Sequence, residues 1–366
     1  MPKTQQLSFE KRKPNVSALP ADFIEGTVMD GSRGLYRVAT DSGDLLCSLR
    51  GRLRKELFYP DSLNLRQKAR RASVKRHDPL AVGDRVRLLP TGAGIGAIEE
   101  ILARSAASIT RDDANADRAH GRLTSVAGID QLVVVLATRD PVPHLGVLDR
   151  FIVLAEAQDL ECFVCLNKID LGLDPALAAR FAVYSTLGYP IVRTSVATSA
   201  GLDELRDRLA GRTSALLGPS GVGKSSLLNA LDPGLALRVG HISDATGKGR
   251  HTTSSTRLIP LAGPRGGFLA DTAGIRALAL GAVAPGRLDS CFREFRPYLG
   301  ACRYRDCSHR EEPGCAIHDA VEAGKLDWLR YANYCQLHEE GASSTGRHWF
   351  DAVVTRSLAG PGEFRM

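Results

Sequence analysis

The sequence predicts a multidomain chain: an N-terminal β-barrel, a central α/β domain built around a phosphate loop, and a C-terminal, mostly helical unit with a metal site. Three observations predict it. Residues 22–104 hold short strand-like runs between glycine-rich turns, the pattern of a small barrel. From about Ser108 apolar strands alternate with helical stretches, as in a doubly wound parallel sheet. Past Pro285 comes a compact cysteine and histidine set, Cys302-x4-Cys307-x-His309-x5-Cys315.

The most specific run is Gly218-Pro219-Ser220-Gly221-Val222-Gly223-Lys224-Ser225. Two glycines five apart, then Lys and Ser, fit the phosphate-loop pattern, in which tightly folded backbone turns successive N–H groups onto phosphates. Lys224 then reaches the β- and γ-phosphates, and the Ser225 hydroxyl ligates Mg²⁺. The flanks agree. Ser214-Ala215-Leu216-Leu217 reads as a buried strand, and Ser226 to Leu231 as a helix whose N-terminus adds to the anion site.

A second motif, Asn167-Lys168-Ile169-Asp170, follows the apolar strand Cys162 to Leu166. A carboxylate accepts from both the ring N–H and the exocyclic amine of guanine, a donor pair that adenine lacks, so Asp170 selects guanine. Asn167 contacts the other edge of the base, and the Lys168 stem lies against its face. Alone the tetrapeptide is weak evidence, because polar loops after strands are common; paired with a phosphate loop it is strong.

The order of the motifs is unusual. In common GTPases the phosphate loop comes first and the guanine motif last. Here Asn167 precedes Gly218, and the switch candidates follow: Gly249-Arg250-His251-Thr252-Thr253, then Asp271-Thr272-Ala273-Gly274. With the C-terminal cysteines, this resembles the ribosome small-subunit-dependent GTPase A family, whose members are circularly permuted GTPases, over roughly residues 22 to 340. The resemblance implies an oligonucleotide-binding (OB) barrel, a permuted GTPase domain, a zinc module and action on the small ribosomal subunit and its rRNA. The expected division is a basic tail at 1–21, the barrel at 22–104, the GTPase domain at 105–285, the zinc-binding domain at 286–340 and a second tail at 341–366.

The switch residues have physical jobs. Thr252 or Thr253 closes over Mg²⁺ and the γ-phosphate in the GTP state, Asp271 reaches Mg²⁺ through water, and the Gly274 N–H binds the γ-phosphate. After this glycine many GTPases carry a glutamine that orients the attacking water; here Ile275 can neither donate nor accept. Unaided small GTPases turn over at about 10⁻⁴ per second, and supplied groups add about 10⁵-fold. Turnover is therefore expected to be slow without a partner. His251, in the mobile switch, is the candidate for orienting water; the alternative is an exposed or phosphate-adjacent histidine with no catalytic role. Ser195, just after a strand, is a candidate for a second guanine-contacting loop.

In chain order, residues 1–21 are polar and proline-bearing, with Lys3, Lys11, Arg12 and Lys13, a tail that is either solvated or in contact with RNA. Ile24 to Val28, Gly34 to Val38, Leu45 to Leu49 and Asp84 to Leu88 read as barrel strands. Between Arg50 and Arg76 ten Lys/Arg face only Glu56 and Asp61, a net charge of +8; a loop with that charge on a barrel face suits phosphate tracking, or is a solvated basic loop. Gly92-Ala93-Gly94-Ile95-Gly96 lacks a following βαβ unit and reads as a hairpin or barrel turn. Gln131 to Ala137 is a continuous apolar run of the kind a buried parallel strand shows. Helices are expected at Val147 to Gln158, Pro175 to Leu187 and Leu202 to Leu209, and strands at Ile191 to Thr194, Thr256 to Leu261 and Phe268 to Ala270.

Three thiolates and one imidazole form the closed tetrahedral ligand set that Zn²⁺ favours. The spacing is not that of common fingers but matches the family's module, so one structural Zn²⁺ is expected on Cys302, Cys307, His309 and Cys315. His318 ranks behind His309 because it begins a helix. Cys162 and Cys165, at i and i+3 of a strand, point to opposite faces. Trp328, Tyr331, Ala332 and Cys335 fall at i, i+3, i+4 and i+7 and read as the buried stripe of a helix.

Composition sets the bounds. At 366 residues with 43% hydrophobic content, two or three packed domains are expected. Eight cysteines without an apolar signal core suggest thiols and metal ligands rather than disulfides. No run of about 18 apolar residues is present, so no membrane span is expected. The net charge of +7 favours polyanionic partners. The reading is a cytoplasmic, monomeric GTPase that binds the small ribosomal subunit and assists its late maturation, with Mg²⁺ entering alongside GTP. One rival is a guanine-nucleotide-dependent RNA-binding switch with negligible turnover; a second, an ATP-driven nucleic-acid enzyme, is disfavoured by Asn167 to Asp170. Because the chain runs from Asp271–Gly274 directly into the zinc unit, motion of that switch could move the zinc unit relative to the barrel.

Overall fold

A computed structural model of the chain describes residues 23–32, 34–58, 80–102, 107–110, 125–235, 257–262, 266–271, 283 and 285–343. The N-terminal strands β1 (Ile24–Ser32), β2 (Leu35–Thr40), β3 (Gly43–Leu49), β4 (Arg85–Gly92) and β5 (Ile95–Ile101) form a closed barrel in the order β1-β2-β3-β5-β4. Alternation along the strands places Tyr36, Val38, Cys47, Val86, Leu88 and Ile98 inside, as a small barrel filled by side chains requires. The glycine-rich run at Gly92–Gly94 is the β4–β5 hairpin turn.

The basic stretch departs from expectation in its first part. It opens not as a loop but as helix α1 (Gly51–Phe58), because Arg52 to Phe58 contains neither Gly, Pro nor a β-branched residue and Leu53 has the barrel core to pack against. Arg50 pairs with Glu99 across the barrel wall. The basic residues at 66–76 lie outside the described residues.

Between barrel and sheet stands a two-stranded ladder, β6 (Ala107–Thr110) with β7 (Ser125–Ile129), which the sequence reading lacked. It binds the segment before β4 through backbone, Ala127 N–H donating to the Val82 carbonyl at 2.8 Å, and that segment is tied to β1 by Gly83 N–H on the Val28 carbonyl at 2.8 Å.

The central sheet contains β8 (Gln131–Ala137), β9 (Glu161–Asn167), β10 (Ile191–Arg193), β11 (Thr213–Leu217), β12 (Arg257–Pro260) and β13 (Phe268–Asp271), ordered β10-β9-β8-β11-β13-β12. Pairing is parallel except between β12 and β13. Every residue of β8 is buried, as its unbroken apolar run requires. Helices α2 (Leu145–Ala157) and α3 (Pro175–Thr186) cover one face, while α4 (Leu202–Leu209) and α5 (Lys224–Leu231) cover the other. Cys162 belongs to the first core and Cys165 to the second. Asp174 starts α3 by accepting from Ala176 and Leu177 N–H at 2.9 and 3.2 Å, with Pro175 in the first turn.

The C-terminal unit consists of short 3₁₀ turns between Pro285 and Tyr298, then α6 (Ala316–Glu322) and α7 (Trp328–Ser343). The stripe expected on α7 is rotated. Trp328 is 63% exposed, and the buried face is Arg330, Tyr331, Tyr334 and Leu337. An apolar-stripe rule cannot anticipate this, because the residue that displaces Trp328 is a cation. Arg330 is buried by its partners on the central domain: Asp149 of α2, and Tyr184 of α3 beneath its guanidinium at 5.3 Å. Glu156 of α2 likewise holds Arg293 at 2.7 Å and Arg296 at 2.6 Å. The unit is thus seated on α2 and α3. Among the described residues no helix is long and apolar enough to cross a membrane.

Candidate functional site

In open α/β sheets ligands bind beyond the carboxyl ends of the strands, where the strand order reverses. Here the chain runs outward from β8 to β9 and β10, then returns to place β11 on the other side of β8. The loops after β8 and β11 flank that crevice, and the Asn167–Asp170 loop after β9 adjoins it.

The phosphate loop connects β11 to α5. Gly218 has φ +152° and lies so close to β8 that a Cβ would fall 2.1 Å from the Val135 carbonyl oxygen; at Gly223, φ +95°, a Cβ would meet Asn167 Nδ2 at 2.5 Å. Both positions need glycine for conformation and for space. Pro219, Ser220, Gly221 and Val222 form the turn between them, with Gly221 at φ +81°. Lys224 Nζ donates to the Gly218 and Pro219 carbonyls at 2.8 and 2.7 Å, so its ammonium sits at the mouth of the loop. Ser225 and Ser226 follow in the first turn of α5, which has no side-chain cap.

The guanine-motif loop is locked to the phosphate loop. Asn167 is 2% exposed; its Nδ2 donates to the Val222 carbonyl at 2.9 Å, and its Oδ1 accepts from Thr194 Oγ1 at 3.2 Å. Lys168 has a left-handed backbone, φ 61° and ψ 37°, which costs a non-glycine residue about 1–2 kcal/mol. Neighbours hold it there: Thr138 Oγ1 donates to the Lys168 carbonyl at 2.6 Å, and Lys168 Nζ to the Asp140 carbonyl at 2.5 Å. Asp170 accepts from Ser195 Oγ at 2.5 Å, and that hydroxyl oxygen accepts in turn from the Thr198 N–H at 3.2 Å. Ser195 therefore stands beside the Asp170 carboxylate.

Asp271 ends β13, which pairs with β11, and its backbone lies at the same edge of the sheet as the phosphate loop. His251, Thr252, Thr253, Thr272, Ala273, Gly274 and Ile275 lie outside the described residues.

The second cluster is in the C-terminal unit. Single ligand atoms of Cys302, Cys307, His309 and Cys315 all lie within 4.8 Å of one another. His309 Nδ1 is 3.4 Å from Cys302 Sγ and 3.6 Å from Cys315 Sγ, and those sulfurs are 4.0 Å apart. A tetrahedron with metal–sulfur bonds of about 2.3 Å and metal–nitrogen bonds of about 2.0 Å has edges of about 3.5–3.8 Å, so the set could hold a metal ion. Burial drives the Cys307 thiol up to about 12, and the neighbouring sulfurs push the same way. A cation that replaces the protons removes that conflict. His309 Nε2 faces Asp289 Oδ2 at 3.5 Å, the carboxylate–histidine pairing that orients a metal-bound imidazole. That hydrogen bond raises the His309 pKa to about 9. The ligand loop is braced by Tyr331 Oη on the His309 carbonyl at 2.9 Å and Tyr334 Oη on the Ser308 carbonyl at 2.8 Å. Glu312 accepts from the Ser308 and Arg310 N–H groups at 2.7 and 3.1 Å. His318 is outside this set: its ring faces Tyr331, and its N–H caps Cys315 Sγ at 3.5 Å. Cys335 packs against the unit's core. No cysteine forms a disulfide.

Cys307→Ser is expected to lower bound metal from one ion per chain to a small fraction and to loosen the unit, because a closed structural site contributes its binding free energy to folding. Elemental analysis of freshly purified protein checks this. Absence of metal from the wild type, with all eight thiols titratable, would refute the site.

Sequence reasoning missed Thr138, Thr194 and Asp289. Thr138 follows a sheet strand, where site residues collect, and that position was a usable signal. Asp289 had none, being thirteen residues before Cys302.

The model of a family described as RsgA GTPase matches residues 102–281. A relative from Gemmatimonas aurantiaca, named small ribosomal subunit biogenesis GTPase RsgA, is 44% identical over 86% of this chain and 96% of its own. One of the same name from Moorella thermoacetica is 39% identical over 85% of this chain and 95% of its own. Among solved structures, YjeQ from Thermotoga maritima matches with TM-score 0.68 and 32% identity, covering 88% of this chain and 99% of that one. YloQ, described as a circularly permuted GTPase, matches with TM-score 0.63 and 26% identity, covering 88% and 97%.

Proposed function

The chain belongs to the RsgA GTPase family, and from that premise we propose how it works: a GTPase of small ribosomal subunit biogenesis that binds the subunit and turns over fast only when docked. The observation that supports this best is the interlock of base and phosphate loops through Asn167 and Val222, which gives a guanine nucleotide one continuous seat.

In this reading Gly218 to Ser226 cradle the phosphates, Lys224 neutralises the β- and γ-oxygens, and Ser225 ligates Mg²⁺. Asn167, Lys168 and Asp170 hold guanine. Thr252 or Thr253, Asp271 and Gly274 sense the γ-phosphate. The Cys302, Cys307, His309 and Cys315 set holds one structural Zn²⁺, favoured over harder cations by its three sulfurs. The barrel at 22–104, with the basic stretch through Arg76, tracks rRNA phosphates. The chain acts in the cytoplasm as a monomer. Ile275 keeps the second reading in play, a nucleotide-dependent RNA-binding switch without useful turnover.

Water alignment then falls to a group supplied on docking, with His251 assigned that part. His251→Ala is expected to bind GTP and the subunit as the wild type does, yet to lose at least about tenfold of the subunit-stimulated rate, since a positioned general acid or base contributes about 10²–10⁴-fold. Co-sedimentation with a non-hydrolysable GTP analogue and steady-state hydrolysis separate the two effects. A variant stimulated as strongly as the wild type removes His251 from the mechanism.

A further inference from the structure

The loop after β8 carries none of the motifs assigned above, yet it touches both halves of the nucleotide site. Thr138 is 3% exposed. Its N–H donates to the Asn167 carbonyl at 2.9 Å, extending the β8–β9 ladder by one residue. Its hydroxyl donates to the next carbonyl, that of Lys168, at 2.6 Å. Two residues on, the Asp140 carbonyl receives Lys168 Nζ at 2.5 Å. Pro141 Cδ would be 3.6 Å from a Cβ on Gly221 of the phosphate loop. One short loop thus grips Lys168 at its carbonyl and at its ammonium while lying against the phosphate loop.

Lys168 needs that grip. Its left-handed backbone is one a lysine seldom adopts unless surroundings over-determine it. The same conformation carries the chain around so that Asp170 comes to Ser195 and the Ile169 N–H reaches the Thr194 carbonyl at 3.2 Å. If Lys168 relaxed to ordinary backbone angles, Asp170 and the lysine stem would leave their places together.

We propose that Thr138 is a positioning residue of the guanine site, its hydroxyl holding Lys168 in the left-handed turn that presents the lysine stem and Asp170 to the base. The inference rests on the assignment of Asn167 to Asp170 to guanine. Valine has the shape of threonine without the hydroxyl, so Thr138→Val removes the bond with little change in packing.

Thr138→Val is expected to weaken GDP binding about tenfold and to narrow the preference for GDP over IDP, which lacks the exocyclic amine, by at least about threefold. Thr138→Ser, which restores the hydroxyl, should return both to within about twofold of wild type. A merely structural threonine would lower the melting temperature but leave the folded fraction with the wild-type dissociation constant and GDP/IDP ratio. If the valine variant does not fold, Thr138→Ala is read in its place. Asp170→Asn is measured in parallel. If Asp170→Asn loses GDP while Thr138→Val binds it with wild-type affinity and ratio, the role of Thr138 is overturned. If Asp170→Asn also binds GDP normally, the guanine assignment beneath it has failed instead.

Discussion

Asp170→Asn is expected to cost about 10²–10⁴-fold in GTP affinity and to create affinity for xanthosine triphosphate. In the proposed seat the carboxylate would accept two hydrogen bonds from guanine, each charge-assisted and worth about 1.5–3 kcal/mol. An amide offers one acceptor and presents a donor where guanine also donates, so one bond is lost and a repulsion replaces it. Xanthine carries a carbonyl in place of the amine, and the same amide then matches it. At about 1.4 kcal/mol per tenfold, the preference should invert. Ser195 Oγ, which donates to Asp170 Oδ1 at 2.5 Å, can donate equally to the asparagine oxygen, so the swap leaves the loop in place. Competition against a fluorescent guanine nucleotide measures it. Unchanged GTP affinity would show that the base binds elsewhere.

The second large effect is expected far from the nucleotide. Arg330, 2% exposed, bonds Asp149 through Nη1 and Glu294 through Nε at 2.7 Å and Nη2 at 3.1 Å, and its guanidinium stacks over Phe292 at 4.7 Å. Tyr184 and Asn333 complete the bonding of Asp149. Removing one partner of such a buried network costs about 3–5 kcal/mol, because the carboxylates stay buried without their cation. Arg330→Ala is therefore expected to release the C-terminal unit from α2 and α3. The effect has a pH signature. Burial holds the Asp149 carboxyl above its ordinary value, and Arg330 is the strongest influence pulling it back. Without Arg330, Asp149 takes up a proton on folding. The folded variant then binds more protons than the unfolded chain once pH exceeds the ordinary carboxylate pKa of about 4, and its stability falls as pH rises. The deficit should be larger at about pH 8 than at about pH 5. Denaturant unfolding at the two pH values, with limited proteolysis, reads it; a variant as stable as wild type at both would contradict the lock. The lock also constrains coupling: a nucleotide-driven shift of the metal unit must carry α2 and α3 with it or break Arg330 free.

Much of this was legible in the sequence because the relevant signals are local. The glycines of the phosphate loop, the unbroken apolar run of β8 and the four side chains that could hold a metal declare themselves within a few residues. Helix α4 matches the expected span Leu202 to Leu209, since its apolar positions and its bounding glycines agree. What escaped was set by tertiary partners. Nothing near Arg330 in the chain says that a cation will be interior; its carboxylates come from Asp149 and Glu294, distant in sequence. Trp328 fitted a helical stripe but lies at the edge of its unit, 63% exposed, with no element among the described residues to cover it. Helix α1 was hidden under its charge, since ten cations suggest a solvated loop before they suggest a helix leaning Leu53 on a barrel. Thr138 is silent as a residue type, and only the bond to Lys168 reveals its part.

In the proposed function this GTPase waits for the small ribosomal subunit. Multiple-turnover release of phosphate from GTP, measured with no subunits, with small subunits and with large subunits at moderate salt, tests it most directly. The expected result is a slow rate alone, unchanged by large subunits and raised at least about 10²-fold by small ones, within the roughly 10⁵-fold that supplied groups provide in other GTPases. Equal rates in all three would contradict the account.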